Sequence, residues 1–257
     1  MTLKYEITNI QHPDNPNLFR IRALREISIP GIGCWVYVKA GDLGGYVEHA
    51  WNLSHENDCW VGGDAQIFGQ SRVYDNAQVY GNAHVFGEAT VYDNAQVYGN
   101  AHVFGEAAVC DGARVFGNAR VYENGWAHDT ARVYGNAKIF GRAQIFGTSR
   151  VYDNAQVFGN AQAYDNSQIC DNAQVFGNVK VYENGSAHDT ARVYGNAKIF
   201  GRARVFENAQ ISGNAWVCGD ARVYGKVVAN ENMVISGWIY ISSPEPNILC
   251  RWSYSVF

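Results

Sequence analysis

The sequence predicts an all-β protein built as a solenoid, and three observations carry that prediction. An aliphatic residue recurs at every sixth position from Val61 to Ile241 without an insertion. Around each aliphatic the polarity alternates, as in Ala-Gln-Val-Tyr at Ala77 to Tyr80. The stretch VYDNAQVYGNAHVFGEAT from Val73 to Thr90 is repeated side by side from Val91 to Ala108, with only the last residue changed. Self-similarity at a fixed period is the signature of a stacked repeat.

Each six-residue unit, V-[YF]-[GD]-N-A-x, reads as a short strand and a corner. In A-x-V-[YF] side chains alternate, so Ala and Val share one face while x and the aromatic share the other. Because x is commonly Gln, His, Arg or Lys, the Ala/Val face is the interior. Only Ala127, Ala163, Ala187 and Ala229 shrink the aliphatic position. The Gly-Asn or Asp-Asn pair supplies residues that tolerate the left-handed backbone of a tight corner.

This pattern resembles the hexapeptide repeat of left-handed parallel β-helices, in which three six-residue sides make one triangular coil of eighteen. The resemblance implies a single-stranded, three-sided left-handed parallel β-helix, and it explains the copied stretch as one added coil. Handedness rests on the resemblance alone, since chain physics favours right-handed crossovers. Residues 61–241 would supply about ten coils, a prism about 50 Å long at a strand spacing of about 4.8 Å. A longer copy, VYENGWAHDTARVYGNAKIFGRAQ from Val121, returns from Val181 with two changes. Its offset is ten sides, not a whole number of coils, so the second copy lies one face round from the first.

The flanks read as caps: a β-rich segment over residues 1–60, with runs such as Leu18 to Leu24 and Cys34 to Ala40 broken by Pro30, Gly31 and Gly33, and a short segment over 242–257 ending in Trp252, Tyr254 and Phe257. A solenoid end exposes unpaired backbone and an open core, which a cap covers. DLGGYVE (Asp42 to Glu48), NLS (Asn52 to Ser54) and CWV (Cys59 to Val61), followed by the array, resemble a family of hexapeptide proteins common in phages and prophages and related to the enterobacterial YdcK type. That resemblance implies acetyl transfer from acetyl-CoA or another acyl-CoA, a function attached to the family through its fold.

Composition bounds the function. At 47% hydrophobic and 17% charged the chain can bury a sizeable core. No basic segment precedes an apolar run at the N-terminus and no long apolar run occurs, so a cytoplasmic protein without a membrane role is expected. Cys34, Cys59, Cys110, Cys170, Cys218 and Cys250 are scattered without close pairing, which points to free thiols rather than disulfides or a zinc knuckle. A net charge of -4 with interleaved signs gives no reason to expect nucleic acid.

Candidate catalytic residues are His128 and His188, each within an AHDT motif similar to the catalytic-His context of hexapeptide acyltransferases. A neutral His there would deprotonate an acceptor for attack on a thioester. In those enzymes the His follows the interior aliphatic by two residues, whereas here it follows by one and takes the place of an aromatic. Two outward polar side chains made by one duplication are therefore the expected reading. His84 and His102, one coil apart, offer two ligands, so no metal site is expected.

The candidate binding surface is aromatic. One face carries Phe68, Phe86, Phe104, Tyr122, Phe140, Phe158, Phe176 and Tyr194. A second carries Tyr80, Tyr98, Phe116, Tyr134 and Tyr152, accompanied by Arg114, Arg132 and Arg150. Ring ladders of this kind either stabilise neighbouring coils or mark a contact surface. Three functions stay open: a non-catalytic binding or assembly protein, without a cofactor, that forms a homotrimer or next a dimer, or engages a host protein; a CoA-dependent acyltransferase; and a protein that sequesters small nucleotide-like ligands.

Overall fold

The computed structural model describes residues 3–30 and 35–241 and contains three long sheets whose strands pair in parallel from residue 60 onward, with no α-helix among the described residues. From Trp60 onward the chain visits the sheets in turn, and strands eighteen residues apart pair in parallel, Val85 with Val103 and Val97 with Val115 for example. The fold is therefore a parallel β-solenoid, with one coil per three sides. The 13-, 10- and 11-stranded sheets are called here the first, third and second faces, after the rings they carry. Cys34, Cys250, the segment Gly31 to Cys34 and the proposed cap over 242–257 lie outside the described residues.

The interior is the aliphatic row with its small neighbours. Val79, Val85 and Val91 and the preceding Ala77, Ala83 and Ala89 are all fully buried. Each outward residue leaves its backbone N–H to the coil above, as Gln78 N–H donates to the Ala95 carbonyl at 2.9 Å, so the ladder satisfies the backbone without side-chain help. Where Ser replaces the small residue, its hydroxyl must find a carbonyl. Ser71 and Ser149 do so, while Ser167 Oγ is buried without a partner.

The corner has the left-handed backbone expected of the pair, and the structure shows which member adopts it. The first residue of the pair, not the Asn, takes the left-handed conformation: Asp75 has φ 56°, Gly81 φ 74° and Glu123 φ 56°. The Asn instead spends its side chain on the next coil. Asn82, Asn100, Asn118, Asn136 and Asn154 form a chain of amide hydrogen bonds at 3.0–3.1 Å, each Nδ2 donating to the Oδ1 above.

At the N-terminal end, β2 (Asn15–Ala23) pairs antiparallel with both β1 (Tyr5–His12) and β5 (Leu43–Val47) and the three extend the first face, while β3 (Ile27–Pro30) and β4 (Trp35–Val38) make a separate hairpin. The three motifs of this region turn out to be three sides of one coil. Val47 of DLGGYVE, Leu53 of NLS and Val61 of CWV are its interior residues, and they lie under Ile67, Val73 and Val79. Eight residues separate Leu53 from Val61 instead of six, and the longer corner is pinned from below. The fully buried Lys4 Nζ donates to the carbonyls of Glu56, Asn57 and Cys59 at 3.2, 3.4 and 2.8 Å.

The far end corrects the six-residue count. Val223 pairs with Ile239, not with Ile241, so the last described corner is two residues short. The slip has a physical reason. It sets Tyr240 over Tyr224 at 4.7 Å and Trp238 under the Arg222 guanidinium at 4.5 Å, whereas an unslipped register would offer Ser242 in the ring position.

Candidate functional site

Most residues that follow an interior aliphatic are rings that meet the ring in the same slot one coil away. On the first face Phe68, Phe86, Phe104, Tyr122, Phe140, Phe158, Phe176 and Tyr194 form an unbroken stack, with centroids 4.7–5.2 Å apart and planes within 7°. On the second, Tyr80, Tyr98, Phe116, Tyr134 and Tyr152 stack at 4.9 Å. Arg114, Arg132 and Arg150 pair in register on the same sheet, so three guanidiniums run beside these rings. The sequence thus placed both candidate rows together.

Exposure is where expectation and geometry part. The rings are half-buried, because each covers the faces of its neighbours and leaves only an edge to solvent. Tyr80, the first rung of its ladder, is the most open of those named, at 38%. Much of what reads in sequence as an apolar stripe is therefore intramolecular stacking, worth about 0.5–1.5 kcal/mol per pair.

A third ladder escaped the sequence reading. Tyr74 and Tyr92 stack at 5.0 Å, and Phe146, Tyr164, Tyr182 and Phe200 stack at 4.9–5.1 Å. The signal was present in the same slot, but the row is interrupted by Cys110 and His128, which hid its continuity.

His128 and His188 occupy ring slots, and they do lie on different faces. His128 stacks on Phe146 at 4.8 Å in the third ladder, and His188 on Phe206 at 5.1 Å in the second. Each Nδ1 approaches the next residue's carboxylate, Asp129 Oδ2 at 3.6 Å and Asp189 Oδ2 at 3.5 Å. One coil below each stands a Cys-Asp pair, so that Asp111, His128 and Asp129, and likewise Asp171, His188 and Asp189, bring three donor atoms within 4.8 Å. Sequence reasoning missed these clusters because it sought ligands near His84 and His102. The recognisable signal is Cys-Asp eighteen residues before His-Asp, in both copies. The carboxylates have a structural task as well: Asp111 Oδ2 accepts the Asp129 N–H at 3.2 Å and Asp129 Oδ2 accepts the Gly147 N–H at 2.9 Å. Glu123 caps Gly141 in the same way at 2.8 Å with no His beside it. Corner geometry alone thus accounts for the carboxylates.

Cys110 breaks the third ladder by hydrogen bonding. Its Sγ accepts the Trp126 indole N–H at 3.2 Å, and burial raises its pKa. Cys170 Sγ lies 3.4 Å from Asp171 Oδ2, and its pKa is pushed up to about 12, first by burial. Such thiols are protonated near neutrality and are poor nucleophiles. His84 and His102 stack at 4.8 Å on the first face, and burial holds both below the usual imidazole range.

A cavity of about 560 Å³ lies at the N-terminal end of the third face, among Trp51, Leu53, Ser54, His55, Arg72 and Tyr74. No described helix is long and apolar enough to cross a membrane.

Compared with known proteins, the chain matches the sequence model of the YdcK β-solenoid repeat over residues 77–93, 113–129 and 209–225. No curated protein matches it. Each matched segment begins at a buried Ala and takes in three successive sides, which is close to one coil of the structure. The protein is a β-solenoid whose coils carry, in those three segments, a repeat similar to that of the YdcK type.

Proposed function

We propose that this protein is a non-catalytic scaffold that associates through the first face, with copies of itself in a closed homotrimer, and works in the cytoplasm. The unbroken ladder from Phe68 to Tyr194 supports the reading. The second ladder is interrupted at Cys170 and the third at Cys110, whereas this one runs through eight rungs, six of them Phe. A Phe rung turns a hydrocarbon edge outward, where a Tyr rung offers a hydroxyl that water satisfies. A row of such edges is the part of the surface that gains most from being covered by another subunit. Closed rotational symmetry buries it without leaving a free copy.

Solution mass by sedimentation tests the proposal. Phe104→Ser with Phe140→Ser should reduce the parent's mass to that of a monomer, while Phe146→Ser with Phe200→Ser removes two rings from the third face and should leave it unchanged. A parent that is monomeric at high concentration, or equal behaviour of the two variants, overturns self-association. Turnover of acyl-CoA with mixed acceptors, lost in His128→Ala or His188→Ala, would replace the scaffold with an acyltransferase.

A further inference from the structure

The three ladders start differently at the N-terminal coil. The residue beneath Phe68 is Glu48, whose carboxylate accepts the Gly69 N–H at 2.7 Å, and the residue beneath Tyr80 is Gly62, packed against the Trp60 ring. Beneath Tyr74 stands Ser54: Leu53 bridges to Val73 and the Ser54 N–H donates to the Val73 carbonyl at 2.9 Å. Tyr92 covers one face of Tyr74 at 5.0 Å and 2°. On the other side the ladder position holds a hydroxymethyl group where higher rungs hold a ring, and the cavity opens there.

Its walls are built. Trp51, 57% exposed, is steadied by stacking on His49 at 4.0 Å, and His55 is fixed by stacking on Tyr5 at 4.3 Å and by accepting the Lys4 N–H at Nδ1. Asn52 anchors the turn below, with Oδ1 accepting the His49 N–H and Nδ2 donating to the Gly69 and Ser71 carbonyls. Arg72 is exposed at the rim and makes no ion pair among the described residues. No acidic residue is among the cavity's lining. A gap in a stack of rings, with a guanidinium and no carboxylate among the residues that line it, suits a flat π-system bearing negative charge, whose anionic group must lie on the Arg72 side because Asp75 and Asp93 also act on Tyr74.

We infer that the gap beneath Tyr74 binds a planar aromatic anion, which takes the missing rung of the third ladder and sets its charged group against Arg72. The site is independent of self-association, because it lies on another face. Two sources share this chemistry, nucleotides and aromatic carboxylates, so calorimetric titrations use adenosine 5′-monophosphate and naphthalene-2-carboxylate as probes. Ribose 5-phosphate and adenosine serve as controls for charge without ring and ring without charge.

Binding of at least one probe, tighter than its controls, is expected. Ser54→Phe should complete the ladder with the chain's own ring and abolish binding, while melting as high as the parent. Arg72→Gln, at an exposed position, should weaken the anionic probe by about tenfold and leave adenosine unchanged. Failure of both probes to bind the parent overturns the inference, as does binding that survives Ser54→Phe or that ignores Arg72→Gln. Should Ser54→Phe fail to fold, Tyr74→Ala takes its place, with loss of binding expected and retention overturning the site.

Discussion

Gly45 lies so close to Ala65 that a side-chain Cβ built on it would stand 2.5 Å from the Ala65 carbonyl oxygen and 2.7 Å from Val61 Cγ1. Gly44 is equally confined: a Cβ built on it would stand 2.6 Å from Ile21 Cγ1, Trp60 Cζ2 and the Val61 carbonyl oxygen. Backbone cannot yield as a flexible side chain can, so the paired glycines of DLGGYVE are what let β5 lie against the first coils. Gly44→Ala or Gly45→Ala should lower stability by about 1–3 kcal/mol, as overpacking does. Gly237→Ala, with nothing within 4 Å of the added carbon, should be neutral. Thermal unfolding of the three variants checks this.

Inward and outward slots should differ sharply. Val205 is fully buried and Arg204, next to it, is exposed. Val205→Asp places an unpaired charge in an apolar core and should abolish soluble folding, while Arg204→Asp should be nearly silent. The soluble yield of the two variants measures it, and equal tolerance would refute the inward assignment.

Ser167→Ala should raise stability by about 1 kcal/mol. The change removes a buried hydroxyl that has no partner and restores the residue the array uses elsewhere. An unfolding midpoint below that of the parent would mean that the hydroxyl is bonded after all.

Acid should weaken the fold through the stacked histidines. Burial first, then the positive charge of His102 and His12 on His84 and of Arg120 on His102, holds both histidines below the ordinary value of 6.5. At pH above 6.5 both states are neutral there and the pair is indifferent. As pH falls below that value the unfolded chain takes up protons first, so stability is lost across the window down to the native pKa. His84→Gln with His102→Gln copies the residue found at Gln156 and Gln174 of the same sheet. The double variant should lose less of its unfolding midpoint than the parent between about pH 7 and pH 5.

The solenoid was legible in the sequence because its period is carried by side chains at every step: an aliphatic at Val61, Val79 and Val97 has only one place to go. The two candidate ladders followed from the same count. What was not legible depends on irregular backbone. The eight-residue corner between Leu53 and Val61, and the short one before Ile239, break the count at the two ends. Nothing in DLGGYVE, NLS or CWV read alone shows that they close one coil around Val47, Leu53 and Val61. The Asp111, His128 and Asp129 cluster was hidden for another reason: its members meet across seventeen and eighteen residues, on a face not taken to be a ladder.

The coil copied at Val73 and Val91 bears on how such a gene changes. In most folds an inserted stretch of this length would have to be accommodated, and selection would remove nearly all such events. Here a tandem copy of one whole coil arrives already in register, with its rings, amide chains and interior residues matched to those above and below. Replication slippage between near-identical segments is thus a tolerated mutation, and chain length becomes a trait that drifts in whole coils. Relatives of this protein should differ more often by eighteen residues than by any neighbouring number, and their ends should diverge more slowly than their number of turns.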